Sequence, residues 1–247
     1  MTLLIDIGNT RVKFATWDGV TLRSADALPV DMEAIDNVLV CSVGPVHPEI
    51  EDAIKGKQIR RLTWQTPEAR EIITNMPQGL GSDRIAADIG AINSPLVVID
   101  NDDDVMPRDE KTATVLVVDA GTCVTFDVLR VSEDRVDGED VRVAEILGGS
   151  ISPGVRMRLA SMHEHTIALP LMSENGETPV LGADTETAMR SGAALGMQYE
   201  IEGYIRAMRG RFPDLYVFMT GGGCISEPDS TVDPDLVFKG LLKIYNL

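Results

Sequence analysis

Two short stretches of this chain pair an aspartate with a glycine at the end of an apolar run. The first is Asp6-Ile7-Gly8-Asn9-Thr10 and the second is Asp119-Ala120-Gly121-Thr122. A glycine lets the backbone turn tightly and approach a ligand with no Cβ in the way. The N–H groups of such a turn can cradle phosphate oxygens. Asn9 and Thr10 add side-chain donors, and Lys13 adds a positive charge if its strand turns it inward. Asp6 cannot hold an anion directly, but it can hold a divalent cation through water, and that cation can bridge to phosphates. A single Asp-x-Gly is also an ordinary hairpin turn. Repetition makes it informative: two phosphate loops can face each other across a cleft and close on a nucleotide. A third glycine-rich turn, Thr220-Gly221-Gly222-Gly223, follows another apolar run and offers flat backbone to an adenine or ribose.

Gly81-Ser82-Asp83-Arg84 stands at the start of a helical pattern. A carboxylate there can take the proton of a hydroxyl as it attacks a γ-phosphate. The neighbouring arginine can pair with a substrate carboxylate. The structural alternative is that Asp83 complements the helix dipole and Arg84 pairs with Asp88 at i+4. Gly148 to Gly154, with three glycines and one proline, implies close backbone approach to a ligand or a strand, or a crossover. His163 and His165 flank Glu164, a spacing that does not put both rings on one helical face for zinc. No GxxxxGK[ST] sequence is present, which argues against a P-loop kinase.

The elements that must position these groups are legible from periodicity. Val12 and Phe14 after the first turn, and Val124 and Phe126 after the second, alternate with a period of two. Each Asp-x-Gly therefore reads as the turn of a β-hairpin, and two hairpins imply two related α/β halves. Val38–Val40, Leu96–Ile99 and Leu215–Phe218 read as further strands. Ile85, Ile89 and Ile92 mark a helix with Ser82 as its N-cap. A longer helix runs from about Thr185 to Arg209, capped by Asp184 and ended by Gly210. Asn101 to Lys111 reads as an exposed acidic loop, and residues 131–142 as a solvated hairpin tip. The division is 1–112 for the N-terminal half and 113–247 for the C-terminal half.

Composition sets outer bounds. Hydrophobic residues make up 44% but aromatics only 4%, so the cores must rely on aliphatic side chains and Met. A net charge of −17 disfavours nucleic acid and anionic lipid surfaces as partners. Three scattered cysteines, Cys41, Cys123 and Cys224, suit a reducing cytoplasm. No signal-peptide pattern and no apolar run of ~20 residues is visible, so neither export nor a membrane span is expected.

In their order along the chain these motifs resemble the type III pantothenate kinases, members of the acetate-and-sugar-kinase, heat-shock and actin superfamily. The resemblance covers nearly the whole chain. It includes Asp6 to Lys13, Gly81 to Arg84, Asp119 to Thr122, Gly148 to Gly154, Ala168-Leu169-Pro170, Asp184-Thr185-Glu186, Thr220-Gly221-Gly222 and Val232 to Leu241. It implies an α/β fold of two ribonuclease H-like (actin-like ATPase) domains, with mixed sheets flanked by helices. It implies phosphorylation of pantothenate by ATP, the first step towards coenzyme A. By the same resemblance Asp6, Ile7, Gly8, Asn9, Thr10, Arg11, Val12, Lys13 and Thr122 contact ATP. Asp83 is the general base, Gly81, Ser82, Asp83 and Arg84 line the pantothenate site, and Thr185 reaches the substrate. Asp119 ligates a monovalent cation, K⁺ or ammonium, and Asp6 a divalent cation such as Mg²⁺ through water. A cytoplasmic homodimer is implied, with pockets completed at the subunit interface. The chain departs from the family's pattern in three places. Cys123 replaces a small residue, Ile72 to Pro77 lacks an aromatic that often lines the substrate pocket, and residues 94–114 are longer than usual. A kinase for another small hydroxy acid, or a nucleotide-binding regulator without turnover, fits the same motifs.

Overall fold

In a computed structural model, residues 1–29, 31–99, 112–136 and 139–246 are described. Ten strands form two sheets. The first contains β1 (Thr2–Ile7), β2 (Val12–Trp17), β3 (Leu22–Ala25), β4 (Asn37–Ser42) and β5 (Gln58–Arg61), in the order β3-β2-β1-β4-β5. The second contains β6 (Ala113–Ala120), β7 (Cys123–Val136), β8 (Glu139–Pro153), β9 (Leu215–Thr220) and β10 (Ser230–Val232), in the order β8-β7-β6-β9-β10. The directions repeat as well. β1 pairs antiparallel with β2 and parallel with β4, as β6 does with β7 and β9. The sequence repeat is thus a structural repeat of mixed sheets, with an Asp-x-Gly turn at the same place in each.

Between the sheets lie α3 (Ser82–Ile92) and α6 (Leu236–Ile244); α1 (Pro48–Ala53), α2 (Pro67–Ile72), α4 (Val155–Glu164) and α5 (Thr185–Arg211) complete the helices. One core joins Leu4, Ala15 and Leu39 of the first sheet to Val115, Val117 and Leu129 of the second, through Ile85 and Ile89 of α3 and Leu241 and Ile244 of α6. The outer faces are covered too. Leu3, Ile5 and Ile7 pack on Ile50 and Ile54, while Leu116 and Val118 pack on Met197, Ile201 and Ile205 of α5. Sheets buried on both faces need nearly continuous apolar strands, and β1 is buried along its whole length.

Several expectations need correction. Leu96–Ile99 is not a strand; Val97 and Ile99 are buried while Leu96 and Val98 are exposed, so the alternation marks a half-buried coil. The N-cap of α3 is Gly81, not Ser82, because the Ser82 hydroxyl is engaged elsewhere. The long helix runs through Gly210 to Arg211, and Asp184 caps it with a reciprocal bond to Thr187. Residues 131–136 and 139–142 form the distal part of the β7–β8 hairpin, as expected, but they are not solvated throughout. Val131 is buried, and Arg142 donates to the carbonyls of Ile92, Ser94 and Val97 at the end of α3. The expected acidic loop, Asn101 to Lys111, lies outside the described residues. Gly149 and Gly154 serve backbone approach of β8 to Phe126 and to the Gly121–Thr122 turn.

The α3–α6 contact is close because both helices carry glycine at the crossing. A Cβ on Gly240 would sit 1.8 Å from the Ala86 carbonyl oxygen, and one on Gly90 would sit 2.2 Å from that of Leu236. Gly240→Ala is therefore expected to destabilise the protein by roughly 1–3 kcal/mol, read as a lower melting temperature. Gly203→Ala in α5, with open space around it, is expected to be neutral or stabilising. Equal melting temperatures for the two variants would contradict this packing.

Candidate active site

Strand periodicity aims the acidic groups. Asp6 lies two residues beyond Leu4, and Asp119 two beyond Val117, so both point into the space between the sheets with those core residues. Lys13 pairs in register with Asp6 and stands two residues before Ala15, which turns it into the same space. The turns that follow the aspartates meet across the cleft: Thr10 Oγ1 and Thr122 Oγ1 are 2.7 Å apart. Gly8 closes the first turn onto the Arg11 carbonyl at 3.0 Å, and Gly121 closes the second onto that of Cys123 at 2.9 Å. The third glycine turn joins them. Gly223 N donates to the Ala120 carbonyl at 2.8 Å, and Gly221, with φ +93°, lies against Asp119. A Cβ at Gly221 would come within 2.6 Å of Asp119 Oδ1.

The N-terminus of α3 enters this space from the side and brings Asp83. Ser82 anchors it. Its hydroxyl donates to the Ser42 carbonyl at 2.9 Å and accepts from the Ser42 N–H at 3.0 Å and the Cys41 thiol at 3.4 Å. Those residues are level with Asp6 and Ile7 in the parallel register of β1 and β4. Asp83 then folds back, its Oδ1 accepting from the Arg84 N–H at 2.8 Å. The Arg84 guanidinium forks onto Asp127 of β7, with Nε to Oδ2 at 2.8 Å and Nη2 to Oδ1. Bidentate pairing of this kind fixes the plane of the guanidinium. The i+4 partner expected for Arg84, Asp88, makes no such bond.

The charges are unbalanced. Burial raises the Asp6 carboxyl to about 6; Lys13 opposes this, and Asp119 and Asp83 add to it. Burial likewise raises Asp119 to about 6, with Asp83 adding and Lys13 opposing. Asp83 is raised by burial despite the Arg84 N–H that favours its charged form. The backbone donors at the helix start therefore do not win, contrary to what a helix N-terminus alone suggests. Three carboxylates facing one lysine fit a cationic ligand. Among the described residues, no three His, Cys, Asp or Glu side chains converge closely enough to chelate a metal alone. Such a cation would take its remaining ligands from water and phosphate.

Not every expected residue reaches the cleft by its side chain. Ile7 is buried in the outer core of the first sheet and Val12 packs beside it, so each can offer only backbone to a ligand. Asn9, Thr10 and Arg11 are exposed at the mouth; the Thr10 hydroxyl is engaged with Thr122, while the Asn9 and Arg11 side chains make no hydrogen bond among the described residues. The Ser82 side chain is turned into β4, which leaves its backbone alone to line a pocket. Thr185 is exposed at the first turn of α5, with no hydrogen bond to the Asp83 region among the described residues. Sequence reasoning missed Asp127. Its signal was an acid inside the otherwise apolar Phe126-Asp127-Val128-Leu129 run.

A family model described as type III pantothenate kinase matches residues 105–207. Among curated proteins, a type III pantothenate kinase of Bacteroides fragilis is 35% identical, over all of this chain and 98% of the relative. One of Phocaeicola vulgatus is 34% identical over 99% of this chain and 97% of its own length. One of Christiangramia forsetii is 31% identical over 90% and 86%. Among solved structures, YeaZ from Pseudomonas aeruginosa aligns over 99% of this chain and 90% of its own. Its identity is 10% and its TM-score 0.30, too low to carry an argument.

The raised carboxyls have a consequence for stability. A carboxyl whose folded pKa exceeds its unfolded value stabilises the fold fully below the unfolded value, and that contribution is lost as pH rises through the folded one. For Asp6 and Asp119 the window runs from about 4 to just above 6. The melting temperature of cation-free protein is expected to fall between pH 5 and pH 7, and to fall less in Asp119→Asn. Calorimetry in a chelating buffer checks this, and a flat profile for the native chain would show that burial does not raise these carboxyls.

Proposed function

The chain belongs to the type III pantothenate kinase family and phosphorylates pantothenate in coenzyme A biosynthesis; on that premise we propose how the cleft performs the transfer. The observation that carries the proposal is the gathering of Asp6, Asp83 and Asp119 below the Thr10–Thr122 contact. The nucleotide's phosphates lie between the two Asp-x-Gly turns. Residues 6–13 take them from one side and Thr122 from the other. Lys13 supplies positive charge, and the Gly221–Gly223 turn leaves backbone open for the nucleoside.

A divalent cation held through water by Asp6, and K⁺ or ammonium at Asp119, would supply the charge that three carboxylates and three phosphates lack. The hydroxyl oxygen of pantothenate attacks the γ-phosphorus as the bond to the ADP oxygen breaks, and Asp83 takes the hydroxyl proton. Asp83 suits this role. One oxygen is fixed by the Arg84 N–H, and Oδ2 has no partner among the described residues. Its raised pKa makes it a better proton acceptor than an exposed aspartate, while the low end of the carboxylate range would leave it ionised but inert. Arg84, held flat by Asp127, faces the acid end of the substrate with its remaining N–H groups.

A homodimer completes the reading. Ile167, Leu171, Val180 and Leu181 between α4 and α5, with Tyr199 on α5, are exposed apolar side chains close in sequence to Thr185. Their burial against a second copy would bring the exposed Thr185 to that copy's substrate. The three free cysteines suit a cytoplasmic setting, and no helix among the described residues is long and apolar enough to cross a membrane.

Asp83→Asn keeps the shape of the side chain but cannot take the proton. Turnover is expected to fall by ~10²–10⁴-fold with ATP affinity nearly unchanged. Steady-state kinetics, nucleotide titration and melting temperature on the same preparation check this. A stable Asn variant with near-native kcat would remove Asp83 from the mechanism.

A further inference from the structure

We propose that Asp88 is a positioning residue for Arg84: as a neutral acid it leaves the guanidinium undivided on Asp127, and once ionised it competes for the same charge. The proposal rests on the reading of Arg84 as facing pantothenate. Asp88 interrupts the run Ile85-Ala86-Ala87-Asp88-Ile89, where an apolar residue would serve the packing. It is 0% exposed, and neither of its carboxylate oxygens has a hydrogen-bond partner among the described residues. It lies one helical turn beyond Arg84, on the same face of α3. That face looks at β7, where Asp127 is itself 1% exposed.

Counting charge around this contact decides the state of Asp88. Arg84 brings one positive charge, and its fork onto Asp127 already matches it with one negative. An ionised Asp88 would add a buried negative charge with no donor, a far more costly arrangement than a protonated carboxyl. Burial above all, and then the Asp127 charge, push its pKa well above the ordinary carboxylate range; Arg84 opposes this and Asp83 adds to it. Of the other elements packed on α3, β6 carries Asp119 and α2 carries Glu68, Arg70 and Glu71, but the charges that act on Asp88 are those of Asp127, Arg84 and Asp83. The two lysines of α6, Lys239 and Lys243, are exposed, and the side chain that β4 offers is the neutral Cys41 thiol.

Ionisation changes the geometry available to Arg84. It then stands between one anion across the cleft and another four residues along its own helix. A guanidinium shared between the two no longer holds one plane, and its substrate-facing N–H groups move with it. Substrate affinity should therefore weaken as pH rises, with little change in the chemical step.

Native protein, Asp88→Asn and Asp88→Ala can be compared by infrared spectroscopy and by kinetics across the whole pH range over which the native protein stays folded. The native chain is expected to show a protonated-carboxyl C=O band at pH 7 that is missing in Asp88→Ala. Its KM for pantothenate is expected to rise by about 5-fold as that band is lost with rising pH, the scale of weakening one charge-assisted hydrogen bond. In Asp88→Asn that KM should stay flat, and kcat should follow the same profile in both proteins. Absence of the band overturns the proposal on the native protein alone, even if a variant fails to fold. A KM rise in Asp88→Asn that parallels the native one overturns it too, leaving Asp88 a merely structural role. If the band is present but KM is unmoved in every variant, the link to substrate fails. An equally silent Arg84→Lys would then show that the reading of Arg84 itself is at fault.

Discussion

Asp6, Asp83 and Asp119 bring three negative charges into a space between two sheets where Lys13 is the one cation that acts on both strand aspartates. Most of what surrounds them follows from holding that imbalance in place. Desolvation raises all three carboxyls and repulsion adds to it at Asp6 and Asp119, so the cleft is least comfortable when empty and at neutral pH. A cationic ligand relieves it, and phosphates follow the cation. The chain's overall charge of −17 would by itself repel an anionic nucleotide, which makes this local arrangement necessary rather than incidental.

Keeping like charges together requires rigid supports, and duplication supplies them. Each half ends its first strand with an aspartate and turns at once through a glycine, so two copies of one hairpin present the same groups from opposite sides. The glycine crossing of α3 and α6 fills the space between the sheets and sets how deeply α3 sits. Ser82 pins the helix start to β4, while Arg142 binds three carbonyls at the helix end. Asn75, clamped to the Ile146 backbone in both directions, ties the loop before α3 to β8. Asp83 is thus located from the first sheet at one end of its helix and from the second sheet at the other.

Much of this was legible in the residues. The paired Asp-x-Gly turns, the hairpins around them and the capped start of α5 were all carried by local pattern, because turn chemistry and a period of two are local properties. What stayed hidden depended on partners distant in sequence. Arg84 has an acid at i+4, yet it binds Asp127, because β7 offers a fixed, buried carboxylate across the cleft. Ser82 looks like an N-cap from its neighbours alone, but the end of β4 takes its hydroxyl. Leu96–Ile99 alternates like a strand, yet coil satisfies the same burial. Residues 131–142 look solvated by composition, and only the docking of β8 shows why Arg142 is there. Thr185 is the converse case: the family resemblance points to it, and among the described residues of a single chain it makes no hydrogen bond to the Asp83 region.

The central claim is that the two Asp-x-Gly turns close on one set of phosphates bridged by a cation. A crystal structure with a non-hydrolysable ATP analogue and Mn²⁺ tests it most directly, because anomalous scattering locates the metal independently of the protein. The account predicts a metal peak between the phosphates and the Asp6 carboxylate, with the phosphates within hydrogen-bond reach of both Thr10 and Thr122. A metal away from Asp6, or phosphates held by one turn alone, would contradict it.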